Sequence, residues 1–301
     1  MSISTYPFSG PSVVDGSITV DLLLQEPTRI TKYVADLAAK QLFAASIFTA
    51  GNASGGAIIF DQLTKNDVYS EGTAKVSAGG EFPNVSSDKG EPLVAKVEKT
   101  GGKFKVTDEA RKRNDQALIQ RESRKLANTI VRDIDTTALA ALNAGVAALG
   151  SDALTVQSGG WVLAGKTTNA NKTAAASARA DILRAKAEGA KTELGYNYNL
   201  LIMHPDDDLA LQIALESDAN VQAFYAANGL TPIVSAQATA GTPKLVAGGT
   251  VGTMGIEDPL SSEVFDDRKI QSTWYQSWMT AAFGVTDPYA IIDITNVAAA
   301  S

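Results

Sequence analysis

The sequence predicts an α+β fold: an extended N-terminal segment, one long β-hairpin, one long helix, and a second half that mixes short strands with helices. Three observations carry this. Gly72, Gly79, Gly80 and Pro83 cluster turn signals inside an otherwise extended stretch, 56–100, that returns through 91–99. Apolar residues then recur at three- and four-residue spacing from Leu118 to Leu142, longer than an ordinary helix. Beyond residue 177 helical and extended patterns alternate without an internal repeat.

Residues 1–26 are rich in Ser, Pro and Gly, with Val13, Val14, Ile18, Val20 and Leu22 to Leu24 lending them an extended, apolar character. Two readings stand side by side, a frayed terminus and an arm that orders on a neighbouring subunit. In 27–43 Ile30, Val34, Leu37, Ala38 and Leu42 form one helical stripe behind Pro27, a first-turn proline.

The hairpin follows, with arms of roughly 16 residues that reach about 50 Å. A compact body of this chain length has a diameter near ~50 Å. A lone two-stranded ribbon is marginal in water. The hairpin must therefore join a larger sheet or lie on another subunit, and the residues alone leave both open. Gly101 and Gly102 are expected to end it, and 103–106 reads as a short strand.

Thr107 is a good N-cap, with Asp108 and Glu109 in the first turn. The helix that follows runs to about residue 143 with a break near Asn114, a rod of roughly 55 Å. Leu118, Leu126, Ile130, Val131, Ile134, Ala138 and Leu142 line one side; Arg111, Lys112, Arg113, Arg121, Glu122, Arg124 and Lys125 supply solvated faces. Without a heptad charge code it is not a coiled coil, and a rod lying across a sheet is expected. Residues 145–176 read as a loop, 177–191 as a helix, and 198–203 as a buried strand. His204-Pro205 turns into a helix over 206–216, and strands follow at 232–235, 244–246, 252–256, 271–282 and 290–294.

The 301 residues are 45% hydrophobic and 20% charged, which suits a globular chain. A net charge of −7 argues against tight gripping of a nucleic-acid backbone, though not against enclosing one. With no cysteine there is no disulfide, thiolate metal site or cysteine nucleophile. No basic-then-apolar leader opens the chain, and no run approaches the ~18 apolar residues of a membrane span. The chain is thus expected to be made and kept in the cytosol, with no membrane partner.

Gly160 to Thr167 matches the phosphate-loop pattern G-x-x-x-x-G-K-[ST]. Its setting is poor. Trp161, Val162 and Leu163 look like a short strand where small residues should wrap phosphate, and no buried strand precedes Gly160. His204, the single histidine, could hold a cation with Asp206, Asp207 and Asp208, but proline and carboxylates at a helix start explain the group better. Glu71, Glu81 and Glu91 on the hairpin, and Asp133 and Asp135 on the long helix, are not placed in facing pairs for acid–base work. Arg111-Lys112-Arg113 is too short and too mixed with acids for a DNA footprint. No catalytic residue, cofactor or metal is expected.

Taken in order, Tyr69-Ser70-Glu71-Gly72, Glu81-Phe82-Pro83, Val97-Glu98-Lys99, Phe104 to Glu109, Leu200 to Pro205, Leu230 to Val234 and Val285 to Ile292 resemble the major capsid protein family of tailed phages, with the Hong Kong ninety-seven phage fold. The resemblance spans nearly the whole chain; no single motif is specific, the ordered set is. It implies an N-terminal arm (1–50), an extended loop (51–100), a peripheral domain with a spine helix (101–177 and 279–301) and an axial domain (178–278). It implies self-assembly as hexamers and pentamers into an icosahedral head around double-stranded DNA, bound without sequence specificity, in a virion assembled in the bacterial cytoplasm. Partners would be further copies, a scaffolding protein, a portal and a decoration protein. Intersubunit residues would be Glu71, Lys75, Glu81, Phe82 and Pro83 in the loop, and Val14, Ile18, Val20 and Leu23 in the arm.

Two departures matter. Members that cross-link covalently carry a lysine before the loop proline; here Phe82 stands there, and Lys75 is a weak substitute. Residues 1–26 are too short for a built-in scaffolding segment, which suggests a separate scaffold or a segment already removed. Rival readings are an encapsulin compartment of the same fold, a phosphate-loop NTPase, and a tail component.

Overall fold

In the computed structural model, residues 42–53, 55–64, 73, 75–83, 92–113, 115–161 and 168–297 are described, together with two short strands, β1 (Val13–Val14) and β2 (Ser17–Ile18). The helix expected over 27–43 lies outside the described residues but for Leu42 and Phe43, which lead into α1 (Ala44–Ile47). Then come β3 (Thr49–Asn52), β4 (Ala57–Phe60), β5 (Leu93–Lys96) and β6 (Glu98–Thr107).

Thr107 caps α2 (Asp108–Lys112), its hydroxyl accepting from the Ala110 N–H at 3.3 Å. Helix α2 ends at Lys112, with Arg113 as its C-cap. Asp115 starts the next helix by accepting from the Leu118 N–H at 3.0 Å, and α3 (Gln116–Ala148) runs for 33 residues, about 50 Å. After α3 come β7 (Thr155–Gln157), α4 (Thr168–Lys191), β8 (Leu200–Met203), α5 (Pro205–Leu215) and α6 (Asp218–Asn228). The chain closes with β9 (Thr231–Val234), β10 (Lys244–Val246), β11 (Gly252–Asp267), β12 (Ser272–Val285) and β13 (Ile291–Thr295).

Two sheets organise these elements. A five-stranded sheet runs β7-β13-β10-β8-β9, and a four-stranded sheet runs β3-β11-β12-β6; β4 and β5 form a separate antiparallel ribbon. The main core holds Leu201, Met203, Leu245, Ile291 and Ile294 of the five-stranded sheet together with Ile130, Ile134, Ala138 and Leu142 of α3. Nearer its start, α3 lays Ile119 and Ala127 on Val106 and Tyr275 of the four-stranded sheet, a second, smaller core. One long helix thus serves both sheets, because its apolar stripe continues past the point where the first sheet ends.

Several boundaries differ from the sequence reading. Gly101 and Gly102 do not end the hairpin; they lie inside β6, paired with Trp278 and Ser277 of β12. A Cβ at Gly101 would come 2.5 Å from the Ser277 carbonyl, so a close backbone approach, not a turn, selects glycine. The strand expected at 252–256 continues to Asp267, past register shifts around Asp258 next to Pro259, and pairs with β12 along a second long hairpin. The loop expected over 145–176 holds the end of α3, β7 and the start of α4. Helix α6 was missed; Ser217 caps it and Gly229, at φ 61°, stops it. Strand β13 joins β10 and β7 in the five-stranded sheet. The boundary drawn at 278/279 falls within β12, and β11 lies in the sheet beside α3.

Candidate assembly surfaces

The extended ribbon starts at Gly55 and Gly56, both at positive φ, which turn the chain from β3 into β4. β4 and β5 pair antiparallel from Ala57↔Lys96 to Phe60↔Leu93. Side chains alternate across such a ribbon, so Ile58 and Phe60 share one face and Ile59 takes the other. The first face rests on the chain's own four-stranded sheet, where two glycines make room. A Cβ at Gly284 would sit 2.7 Å from Phe60, and one at Gly255 would sit 2.5 Å from Ile58. Beyond β4 the Leu63 N–H donates to the Thr286 carbonyl at 2.8 Å and the Gln62 amide to the Val285 carbonyl at 3.3 Å. The root of the ribbon is therefore fixed.

The second face is bare. Ile59 is 74% exposed and its cross-strand neighbour Val94 58% exposed. At the far end Ala78 and Gly79 form a tight turn closed by the Gly80 N–H on the Ser77 carbonyl at 2.9 Å. Lys75, Glu81, Phe82 and Pro83 surround it, all exposed, Phe82 at 80%. Glu71 lies outside the described residues, as do Val20 and Leu23. Val14 and Ile18 fall in the β1–β2 pair, where Val13 faces Ile18 and Val14 faces Ser17, and their side chains lie outside the described residues. Lys75, Glu81, Phe82 and Pro83 are thus exposed residues flanking the Ala78-Gly79 turn. The structure adds Ile59 and Val94, which the sequence reading passed over. Their signal was present: Ile58-Ile59-Phe60 is apolar on both faces, and a ribbon covered on one side only does not need that.

The chain before β3 is tied to α3 through the buried Asp135. Asp135, on α3, accepts from the Ala44 N–H at 3.2 Å, while Ala44 and Ile47 sink into the main core and Phe48 packs on Phe283 with ring centroids 5.2 Å apart. Burial pushes the Asp135 carboxyl up to about 7, against the lowering effect of its hydrogen bonds from the Ala44 and Phe43 backbone. Asp133 is instead exposed beside Arg132, while Asp135 is buried, so these two carboxylates do not form a pair.

The remaining candidate motifs resolve into structural contacts. Trp161 of the phosphate-loop pattern is buried, its indole N–H donating to Asp181 Oδ2 at 3.1 Å and its backbone N–H to the Val297 carbonyl at 3.1 Å. The Gly160 N–H donates to Ser158 Oγ at 3.0 Å. A phosphate loop needs such N–H groups free, and here they are taken; Lys166 and Thr167 lie outside the described residues. His204 caps α5, its Nδ1 accepting from the Asp206 N–H at 3.2 Å. Asp207 turns inward and accepts from the Gly241 N–H at 3.0 Å on both oxygens, and burial raises its pKa. Asp208 turns to Gln212 and Tyr225. The three aspartates diverge, and no metal-holding cluster of His, Cys, Asp or Glu occurs among the described residues.

A two-sheet α+β body joined by a long helix, with a two-stranded ribbon laid on one sheet, is the arrangement of the phage capsid fold. Residues 90–294 match the family model described as phage capsid protein, and the chain belongs to that family. It is a structural protein, copies of which associate into a capsid shell. Three solved structures share its fold. One is the capsid of cyanophage P-SCSP1u, with 17% identity, 87% of this chain and 89% of that chain covered, and a TM-score of 0.55. Another is a phage-related protein from Bordetella bronchiseptica RB50, with 12% identity, 91% and 98% covered, and a TM-score of 0.59. The third is the virus-like particle from Pyrococcus furiosus, with 12% identity, 89% and 98% covered, and a TM-score of 0.57. No curated protein sequence matches the chain.

Proposed function

We propose that this chain is the major capsid protein of a tailed phage, assembling as hexamers and pentamers into the icosahedral head that encloses double-stranded DNA. The observation that carries the reading is the ribbon: one face is seated on its own subunit, while Ile59, Val94 and the Phe82 tip have no apolar cover among the described residues. Apolar surface presented this way marks an interaction site. A neighbouring copy, receiving the ribbon, buries it, and repetition around closed symmetry sums many weak contacts into a stable shell. Residues 51–100 then act as the extended loop and 1–50 as the arm. The α3 region with 101–177 and 279–301 is peripheral, and 178–278 is axial. Phe82, in place of a lysine, provides no amine for a covalent link at that position. Scaffold, portal and decoration proteins are separate chains, and assembly takes place in the host cytoplasm.

The second reading, a shell around protein cargo, draws on the likeness to the Pyrococcus furiosus virus-like particle. Electron microscopy of the purified protein, expressed alone and with its neighbouring genes, tests both. Closed particles holding DNA support the phage head and closed particles holding protein support the compartment; a monodisperse monomer under both conditions contradicts each.

A further inference from the structure

Positive charge is unevenly placed along this chain. Residues 111–132 carry seven basic side chains against two acidic ones, a net +5 where the whole chain is −7. In the linear sequence acids interrupt the cluster; on α3 the helix sorts it. Arg121, Arg124 and Lys125 line one open cleft with the amides of Gln120 and Asn128 and the small Ala117, and none of these six lining residues is a carboxylate. The opposite side of the helix, with Ile119, Ala127 and Ile130, is buried, so the cleft faces outward from the subunit body.

Glu122 stands beside the cleft, accepting from Arg121 Nε and Lys125 Nζ at 3.1 Å each. Ion pairs this exposed are weak and screened, so a stronger anion displaces them. Arg124, between them, makes no ion pair among the described residues. Guanidinium forks and side-chain amides are the donor set that holds phosphate oxygens without reading bases. Apart from Ala117 every lining side chain ends in a cation or an amide, which is the charge and donor set a phosphate backbone needs.

We infer that the outward face of α3, centred on Arg121, Arg124 and Lys125, is a sequence-independent contact surface for the phosphate backbone of double-stranded DNA. The inference rests on the reading of a DNA-enclosing shell and adds the surface by which the subunit meets its contents. A polyanion carrying a charge every ~1.7 Å makes a modest local cluster sufficient, even on a chain whose total charge is negative.

The test is binding of a short, random-sequence DNA duplex to the full-length protein, read by fluorescence anisotropy over graded salt. The unaltered protein should bind weakly, with affinity falling as salt rises. Arg121→Gln/Arg124→Gln/Lys125→Gln should flatten the log–log slope by about 0.9 for each phosphate no longer neutralised. Lys99→Gln/Lys103→Gln, on the four-stranded sheet, should leave it unchanged. Should the triple variant fail to fold by circular dichroism, Arg124→Gln alone should remove about 0.9 of slope. No binding at low salt, an unchanged slope in the folded variants, or poly-glutamate binding as tightly as the duplex overturns the inference. Electron microscopy of the same samples reports on the shell separately: a slope flattened as expected without any particles would sink the shell reading and leave this surface standing.

Discussion

β8 and β4 are strands of the same length and nearly the same chemistry, Leu200-Leu201-Ile202-Met203 and Ala57-Ile58-Ile59-Phe60, yet they meet opposite fates. β8 lies between β10 and β9, with α3 contributing to the core around it, and all four of its residues are buried. β4 has one strand neighbour, β5, and one covered face, and its Ile59 stands in solvent. A strand that is apolar on both faces is built to be covered on both. In β8 the chain supplies both covers. In β4 the described residues supply one, and the proposed neighbouring copy supplies the second. On that proposal the same residue types serve stability in one place and assembly in the other.

The sharpest way to probe that contrast is to cut into β8. Leu201→Ala, at a fully buried site, should cost about 2–5 kcal/mol in chemical denaturation of the subunit, enough to deplete soluble protein. Next is the seat of the ribbon. Gly284→Ala places a methyl against Phe60 and Ile58 and should cost about 1–3 kcal/mol or lift the ribbon off its sheet, seen as faster hydrogen exchange over 57–63. Thr107→Ala removes the cap of α2 and should cost about 1 kcal/mol by the same denaturation assay.

The subtlest effect is a slope rather than a level. Asp135 binds its proton more tightly in the fold, at about 7, than in the unfolded chain, at 3.8. Between those values the folded state holds more protons, so the contribution of Asp135 to stability is greatest below the lower value and falls as pH rises to the higher one. Stability measured across that window should decline in the native protein and flatten in Asp135→Asn. An equal decline in both would remove Asp135 as the cause.

Much of the frame was legible because its signals are local. Thr107 with two following acids starts a helix, a second helix begins after Asp115, and the stripe from Leu118 to Leu142 keeps its period. What escaped was set by partners distant in sequence. Gly101 reads as a turn until Ser277 of β12 is placed against it, and the strand expected at 252–256 reads as short until Ser261 to Asp267 is paired with β12. At the assembly surface the tip residues Lys75, Glu81, Phe82 and Pro83 came from an ordered resemblance. Ile59 and Val94 were missed because their exposure depends on which ribbon face the glycines at 255 and 284 admit. The basic cleft was hidden for a similar reason: Arg121, Arg124 and Lys125 converge only once helical spacing aligns them.

The central claim is that the bare face of the ribbon belongs to a neighbouring copy. The direct measurement is to make Ile59→Ser/Val94→Ser/Phe82→Ser, confirm folding by denaturation, and count closed particles by electron microscopy beside the unaltered protein. All three sites are exposed, so subunit stability should change by no more than about 0.5 kcal/mol per site. The account predicts a folded subunit that no longer closes into particles. Particles formed by the variant at the unaltered protein's yield would contradict it.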